Sequence, residues 1–403
     1  MKLNLNLARC LLIGMCILTL MLQTGCRSKD EIEDLSIYVG MGLDEAKKTE
    51  LETKLDKLGT HEIKKNLITF TLQIVEKQSE AKGGKAGSDQ NSKPYINVSE
   101  TGDSLFQLIR EFTSQMERPV IGHHLKVIVI NEQLAGHFSM HQLLDFFLRD
   151  NDIRPSTMVL MSSGPARKTL EAKGNSIIPS FRLMGMIDNR YRTLKIIPPM
   201  TLSTLQGKMH AKSSYLLQNV IAAEGEVKFS GAAVIKGNTQ KFRGLLSEEE
   251  LLGVTWLTGK GKGGLVKSYD EKTKQIITYE VKTMKSKIRS HIDGDDVSFD
   301  VDIESEGRLI EDWTTSSAPI DDEFIERAER AAEKEITRLI QLGLYKIQKN
   351  YKTDVVGFGT RLNIEHPKQW QKIKQDWDNV FSEAPITYKV KLNITDMGAK
   401  KSH

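Results

Sequence analysis

Cysteine is almost missing from this 403-residue chain. The three present, Cys10, Cys16 and Cys26, all lie in the first 26 positions. No disulfide framework and no cysteine-based zinc site can therefore hold the folded part together. Long hydrophobic runs are also absent. The longest, Cys10 through Leu22, covers about 13 residues with only Gly14 and Thr19 interrupting it, short of the roughly 20 needed to span a bilayer. Nor is there a marked excess of one charge. The formal net charge of +4 falls to +2 once Lys2 and Arg9, in a segment expected to be removed, are set aside. Basic and aromatic residues are not interleaved as in a single-strand nucleic-acid groove, and a nucleic-acid partner is not expected.

The motifs of common enzymes are lacking as well. There is no Gly-x-Ser-x-Gly elbow. The loop Gly259-Lys260-Gly261-Lys262-Gly263-Gly264 invites a phosphate-binding reading, but it follows a predicted helix and lacks the Gly-Lys-Ser/Thr that opens one. His137 and His141 stand at i, i+4 without the Glu of a metalloprotease helix. Asp293-Gly294-Asp295-Asp296 lacks the spacing and closing Glu of a calcium loop and reads better as a hairpin turn. No catalytic, metal or cofactor site is expected, and the chain is not expected to be an enzyme.

What is present at the N-terminus is a positive segment with Lys2 and Arg9, the apolar run, and then Leu22-Gln23-Thr24-Gly25-Cys26. Small residues before a cysteine suit the bacterial lipobox, although Gln23 stands where Leu is usual. Residues 1–25 are expected to be a lipoprotein signal peptide. The Cys26 thiol would then carry a diacylglyceryl group, whose two chains suffice for stable anchoring. That covalent lipid is the one added group expected.

Along the rest of the chain the expected architecture is a multidomain α+β ectodomain. Residues 26–175 read as an N-terminal α/β-like domain. Strands are expected at Leu35–Leu43, Ile68–Ile74 (half-buried by its alternation), Tyr95–Val98, Leu125–Ile130 (buried on both faces) and Thr157–Met161. Asp44–His61 reads as a charged loop. A helix holding Leu105 to Phe112 is expected to be capped by Ser99 or Thr101, and a second holds Leu143 to Leu148. Residues 176–220 read as a connecting region or small middle domain with a helix near Leu202–Met209. Residues 221–403 read as a C-terminal α+β domain with an antiparallel sheet and a long helix. Its strands are Glu226–Lys236, Ile276–Tyr279, Ser286–His291, Val297–Ile303 and Thr387–Ile394. Ser247 and Glu250 form a capping box, with Leu246 and Leu251 placed as a hydrophobic staple. The longest helix is expected over Asp322–Lys349 and a last one near Lys368–Trp377.

Several stretches, in order, resemble the Ger(x)C family, the lipoprotein C subunits of spore germinant receptors. They are Gly25-Cys26 with Glu31 to Leu35 and Gly40 to Asp44; Gly122 to Leu134; Asp152-Ile153-Arg154; Phe229-Ser230-Gly231 through Gly244 to Glu250 and on to Trp256 to Lys260; and Asp354 to Gly359 with His366-Pro367, Trp370 and Trp377. Arg27 and Ser28 replace the family's Trp-Asp after the cysteine. The resemblance implies a non-enzymatic subunit on the outer face of the spore inner membrane. It would assemble with polytopic A and B subunits in a complex that responds to small nutrients and starts germination. Whether this subunit touches the nutrient is left open. The competing reading is a substrate-binding lipoprotein of a transporter, which would show two similar lobes around a cleft.

Overall fold

The computed structural model describes residues 14–15, 35–57, 65–76, 93–173, 177–313 and 322–396. Cys26, the lipobox and most of the Lys82–Lys93 loop lie outside them. One compact unit spans Ser36–His403, and all three hydrophobic cores lie within it.

The first sheet opens with β1 (Ser36–Glu45), which α1 (Glu50–Asp56) follows. Then come β2 (Ile68–Val75), β3 (Tyr95–Gly102), α2 (Leu105–Phe112), β4 (Val120–Ile121) and β5 (Val127–Asn131). After them stand α3 (Glu132–His137), α4 (Met140–Arg149), β6 (Met158–Ser163), α5 (Ala166–Thr169), α6 (Pro179–Asp188) and α7 (Leu202–His210). The strands β7 (Tyr215–Ala223), β8 (Glu226–Lys236) and β9 (Lys241–Leu246) complete the sheet. The order is β3-β2-β1-β5-β6-β7-β8-β9, with β4 beside the start of β1. The central strands β1, β5, β6 and β7 are parallel, and antiparallel pairs flank them on both sides.

Strand β5 is buried along its whole length, as its unbroken apolar sequence predicts. Ile128 and Ile130 join the core under α2, α4 and α7, while Val127 and Val129 join the core under α6. Strand β2 departs from expectation. Its alternation predicts one solvent face, yet Thr69, Thr71 and Gln73 are buried too. The segment around α5 and α6 covers that face at Gln73, and each polar group finds a partner, Thr69 and Thr71 on β3 and Gln73 in the covering segment, as burial requires. Thr69 and Thr101 share a hydrogen bond of 2.9 Å, Thr71 and Ser99 one of 2.8 Å, and Gln73 Nε2 donates to the Leu170 carbonyl at 2.7 Å.

Other expectations need correcting. The charged stretch after Asp44 contains α1, started by a capping box of Thr49 and Glu52. Ser104 caps α2; Ser99 and Thr101 belong to β3. Residues 176–220, read as a connecting region or small middle domain, carry α6 and α7 on opposite faces of the first sheet together with most of β7. Residues 226–246, expected in the C-terminal part, hydrogen-bond as the sheet's last two strands.

The second sheet follows α8 (Glu248–Thr258). It is built from β10 (Gly264–Tyr269), β11 (Ile276–Asp293), β12 (Asp296–Asp312) and, after four helices, β13 (Ile386–Asp396). Those helices are α9 (Asp322–Tyr345), α10 (Phe358–Glu365), α11 (Pro367–Ile373) and α12 (Trp377–Glu383). The two short strands expected at 276–279 and 286–291 are one strand, with register shifts at Thr278/Tyr279 and Val281/Thr283. Asp293 pairs with Asp296 across the turn, and Gly294 takes a φ of 62°. The last pair, β12 with β13, is parallel. A helical crossover brings β13 back in the same sense, so the sheet is not wholly antiparallel. The long helix ends at Tyr345, and residues Lys346–Asn350 continue it as one wider π turn. The overall class is mixed α+β, as expected.

Candidate functional site

The stretches singled out in the sequence serve mainly as joints of the backbone. Gly40 and Gly42 sit where β1 passes under the α5–α6 segment. A Cβ on Gly40 would lie 1.9 Å from Ser180 Oγ, and one on Gly42 3.3 Å from the Arg167 nitrogen. Asp44 ends this run. Its carboxylate accepts from Ala166 N at 2.6 Å and Arg167 N at 2.9 Å. Burial pushes that carboxyl above its usual range, and the two amides pull against it. Gly122 leaves room for the Tyr38 ring and Ile153. Asp152, in the third stretch, pairs with His123 at 3.3 Å on the exterior.

The fourth stretch organises the start of α8. The Glu250 carboxylate accepts from Ser247 N at 2.8 Å, and the Ser247 hydroxyl accepts from Glu250 N at 3.3 Å, which completes the expected capping box. Leu246 and Leu251 are both buried, as a staple requires. Glu248 accepts from Lys195 Nζ at 2.5 Å and Lys228 Nζ at 3.1 Å, and from the Ser230 hydroxyl at 3.1 Å. The Lys195 hydrogen bond is the largest cause that holds its carboxyl at about 2. Gly259 ends the helix with φ 62° in the left-handed region, packed against Ser286 N.

The fifth stretch is built around Asp354. Its carboxylate accepts from Gly357 N (2.7 Å), Phe358 N (3.1 Å), Gly359 N (2.8 Å) and the Trp377 indole (3.3 Å). Burial drives this carboxyl upward, and the four donors oppose that. The arrangement caps the first turn of α10. Gly359 packs under the Trp377 and Trp370 rings, which meet edge to face at 5.2 Å. The Asp-x-x-Gly-x-Gly spacing is a legible signal for such a carboxylate-held turn.

This chemistry is structural. Asp44, Asp354 and Glu248 are occupied by backbone amides or by neighbouring side chains. His137 closes α3 while His141 lies in α4, so the two do not share a helix face. His137 stands 3.2 Å from Glu45. Among the described residues no cluster of His, Cys, Asp and Glu has the arrangement of a metal site. The glycine-rich loop joins α8 to β10 and opens no helix. Cys26 itself lies outside the described residues. Among those residues no helix is long and apolar enough to cross a membrane.

What the described surface offers is area for contact. An open groove of about 690 Å³ runs between α2 and α4, with Phe106, Phe146, Arg110 and Arg149 along it. Phe106 and Phe146 lie 5.8 Å apart, and the Arg110 guanidinium stands over Phe106. The outer face of the second sheet carries cross-strand rows of opposite charge: Lys287–Asp302–Lys389 and Lys285–Glu304–Lys391. Such rows stabilise a solvated sheet and discourage unspecific pairing.

Two family models match the chain. One is described as "Spore germination protein N-terminal domain" and matches residues 28–221; the other, "Spore germination B3/ GerAC like, C-terminal", matches residues 230–398. The chain is 45% identical to "Spore germination protein YndF" of Bacillus subtilis (strain 168) over 382 residues, 94% of each chain. It is 29% identical to "Spore germination protein B3" of the same organism over 379 residues, 93% of this chain and 94% of that one. Among solved structures, one described as "Crystal Structure of the GerBC protein" is similar with a TM-score of 0.60 and 26% identity. That match covers 91% of this chain and 100% of the other.

Proposed function

Since the chain belongs to the GerAC-like family of spore germination proteins, we propose that it is the lipid-anchored C subunit of a nutrient germinant receptor. It is held on the outer face of the spore inner membrane and assembles with polytopic A and B subunits. One observation carries the receptor reading: the family matches run in order from residue 28 to 398, nearly the whole chain after Cys26. The anchor reading rests on Gly25-Cys26 behind a 13-residue apolar run, with two acyl chains supplying the membrane affinity. Asp44, Asp354, Glu248, His123 and His137 serve turns and surface pairs, which suits a protein that works by contact. A transporter's substrate-binding lipoprotein is disfavoured, because the nine-stranded and four-stranded sheets are not a pair of similar lobes.

Deleting the gene in the sporulating host and testing germination across a panel of nutrients checks the receptor role. The expected result is loss of response to one nutrient class in otherwise normal spores. Normal germination to every nutrient, in a strain also lacking related receptors, would refute it. The anchor is checked separately with Cys26→Ala in the full chain, expressed without partners: detergent phase separation should move the variant to the aqueous phase. Retention in the detergent phase would sink the anchor claim.

A further inference from the structure

Helix α6 turns an apolar stripe outward. Ser180, Leu183 and Ile187 face inward, toward β1 and β5. The outer side carries Phe181 and Met184, 44% and 39% exposed, and the stripe continues in Ile177 before the helix and Tyr191 after it, 44% and 55% exposed. Scattered exposed apolar side chains are ordinary, but four recurring at steps of four, three and seven along one segment form a band.

That band is set among cations. Residues 177–192 hold Arg182, Arg190 and Arg192 against a single acid, Asp188. The Arg190 guanidinium stands 5.0 Å from the Tyr191 ring centre and donates to its hydroxyl at 3.1 Å. The glycine-rich loop, unused by the function proposed above, adds another. A Cβ on Gly263 would lie 2.4 Å from the Tyr191 carbonyl, so the loop backbone packs there and brings Lys262 beside the ring. The hydrogen bond from Arg190, then its charge and, more weakly, that of Lys262 lower the Tyr191 hydroxyl from its usual value.

The position of the tether matters equally. Gly40 packs on Ser180 at the start of α6, and Ser36 lies only four residues earlier, about 13 Å of strand. The ten residues from Cys26 to Ser36 span at most about 35 Å. A bilayer holding the Cys26 lipid is thus within reach of this face.

We propose that the outer side of α6, with Ile177, Phe181, Met184 and Tyr191 and the flanking Arg182, Arg190, Arg192 and Lys262, rests on an anionic lipid surface. The apolar groups enter the boundary between headgroups and acyl chains, and the cations meet the phosphates. Tyr191, apolar in its ring and polar at its tip, suits that boundary. The proposal rests on the anchor reading, which places the chain beside a bilayer. A second contact besides the lipid fixes which side of the protein faces the membrane.

The test uses residues 27–403 without lipid, since the three cores lie wholly within them. No cysteine follows Cys26, so Met184→Cys, or Lys372→Cys on α11 as a control, takes a single environment-sensitive fluorophore. The vesicles are equimolar phosphatidylglycerol and phosphatidylcholine, or phosphatidylcholine alone. The expected result is co-sedimentation with the anionic vesicles and a blue shift at position 184 only. Arg182→Gln and Arg192→Gln should each weaken binding by about fivefold, and Phe181→Ser should weaken it with an unchanged thermal midpoint. No binding to anionic vesicles, equal shifts at both labelled positions, or variants that bind as well as the parent would overturn the proposal. Because this chain carries no lipid, that failure is separate from failure of the anchor, which is read on the full chain by phase separation.

Discussion

Gly253 of α8 and Gly343 of α9 meet where the two helices cross. A Cβ on Gly343 would lie 3.3 Å from the Gly253 carbonyl carbon and 2.5 Å from the Glu250 carbonyl oxygen; one on Gly253 would lie 2.0 Å from the Leu339 carbonyl oxygen. The obstacles are main chain on both sides, so no side-chain rotation relieves them.

Gly253→Ala should therefore destabilise the protein although alanine favours helix by about 1 kcal/mol. Overpacking costs typically about 1–3 kcal/mol, and more where neither backbone yields. The net loss expected is about 1–2 kcal/mol, read as a lower urea midpoint. Gly343→Ala should act in the same direction and less strongly. An unchanged midpoint for both would mean that the helices part freely.

Ser247→Ala removes the hydroxyl that accepts from Glu250 N and should cost about 1 kcal/mol. Thermal unfolding of the variant checks it. A midpoint equal to that of the parent would show that this cap contributes nothing to α8.

Acid should unfold the protein partly through two glutamates. Glu248 is held at about 2 by its hydrogen bond to Lys195, by Lys228 and by Ser230; Glu365 is held at about 2 by Ser290 and Arg361. Both folded values lie below the ordinary 4.5. The unfolded chain therefore binds more protons between these limits, and stability rises with pH there. The contribution is present above about 4.5 and is lost as pH falls toward 2. Denaturant midpoints measured across that window should decline less steeply in the Glu248→Gln, Glu365→Gln double variant. Equal slopes would refute the assignment.

Strand β13 is the sheet's edge, and two carboxylates of α9 cover part of it. Glu333 Oε1 accepts from Leu392 N at 2.9 Å, and Glu329 Oε1 from Ile394 N at 2.7 Å. Removing both in Glu329→Ala, Glu333→Ala should cost about 2 kcal/mol and free an edge for self-association. Equilibrium unfolding and light scattering at rising concentration measure the two effects. A variant as stable as the parent, with the same scattering at every concentration, would show the edge needs no cover.

Much of this was readable in the sequence where the cause is local. Ser247 and Glu250 bond to one another's backbone three residues apart, so their pattern predicts the start of α8. The unbroken Val127–Ile130 run predicts a strand buried on both faces. The same local logic applies at Thr49 and Glu52, but the charged residues around them read as a loop and mask the start of α1. Strand β2 misled for the opposite reason: alternating Thr and Gln signal a solvent face only when nothing covers it. Here Leu170 and Ser180, about a hundred residues onward, supply partners for Gln73.

By itself the sequence determined the α+β class, most strands and helices, and the family through motifs spread along the chain. Each of these depends on residues close in sequence or on their order. Only the tertiary structure decided that β7, β8 and β9 finish the first sheet, that β13 returns parallel to β12, and that α6 shows Phe181 and Met184 to the outside. Those outcomes depend on which distant surfaces meet. The α6 pattern of two apolar sides does not say which one finds the sheet; Gly40, by admitting Ser180, helps to choose.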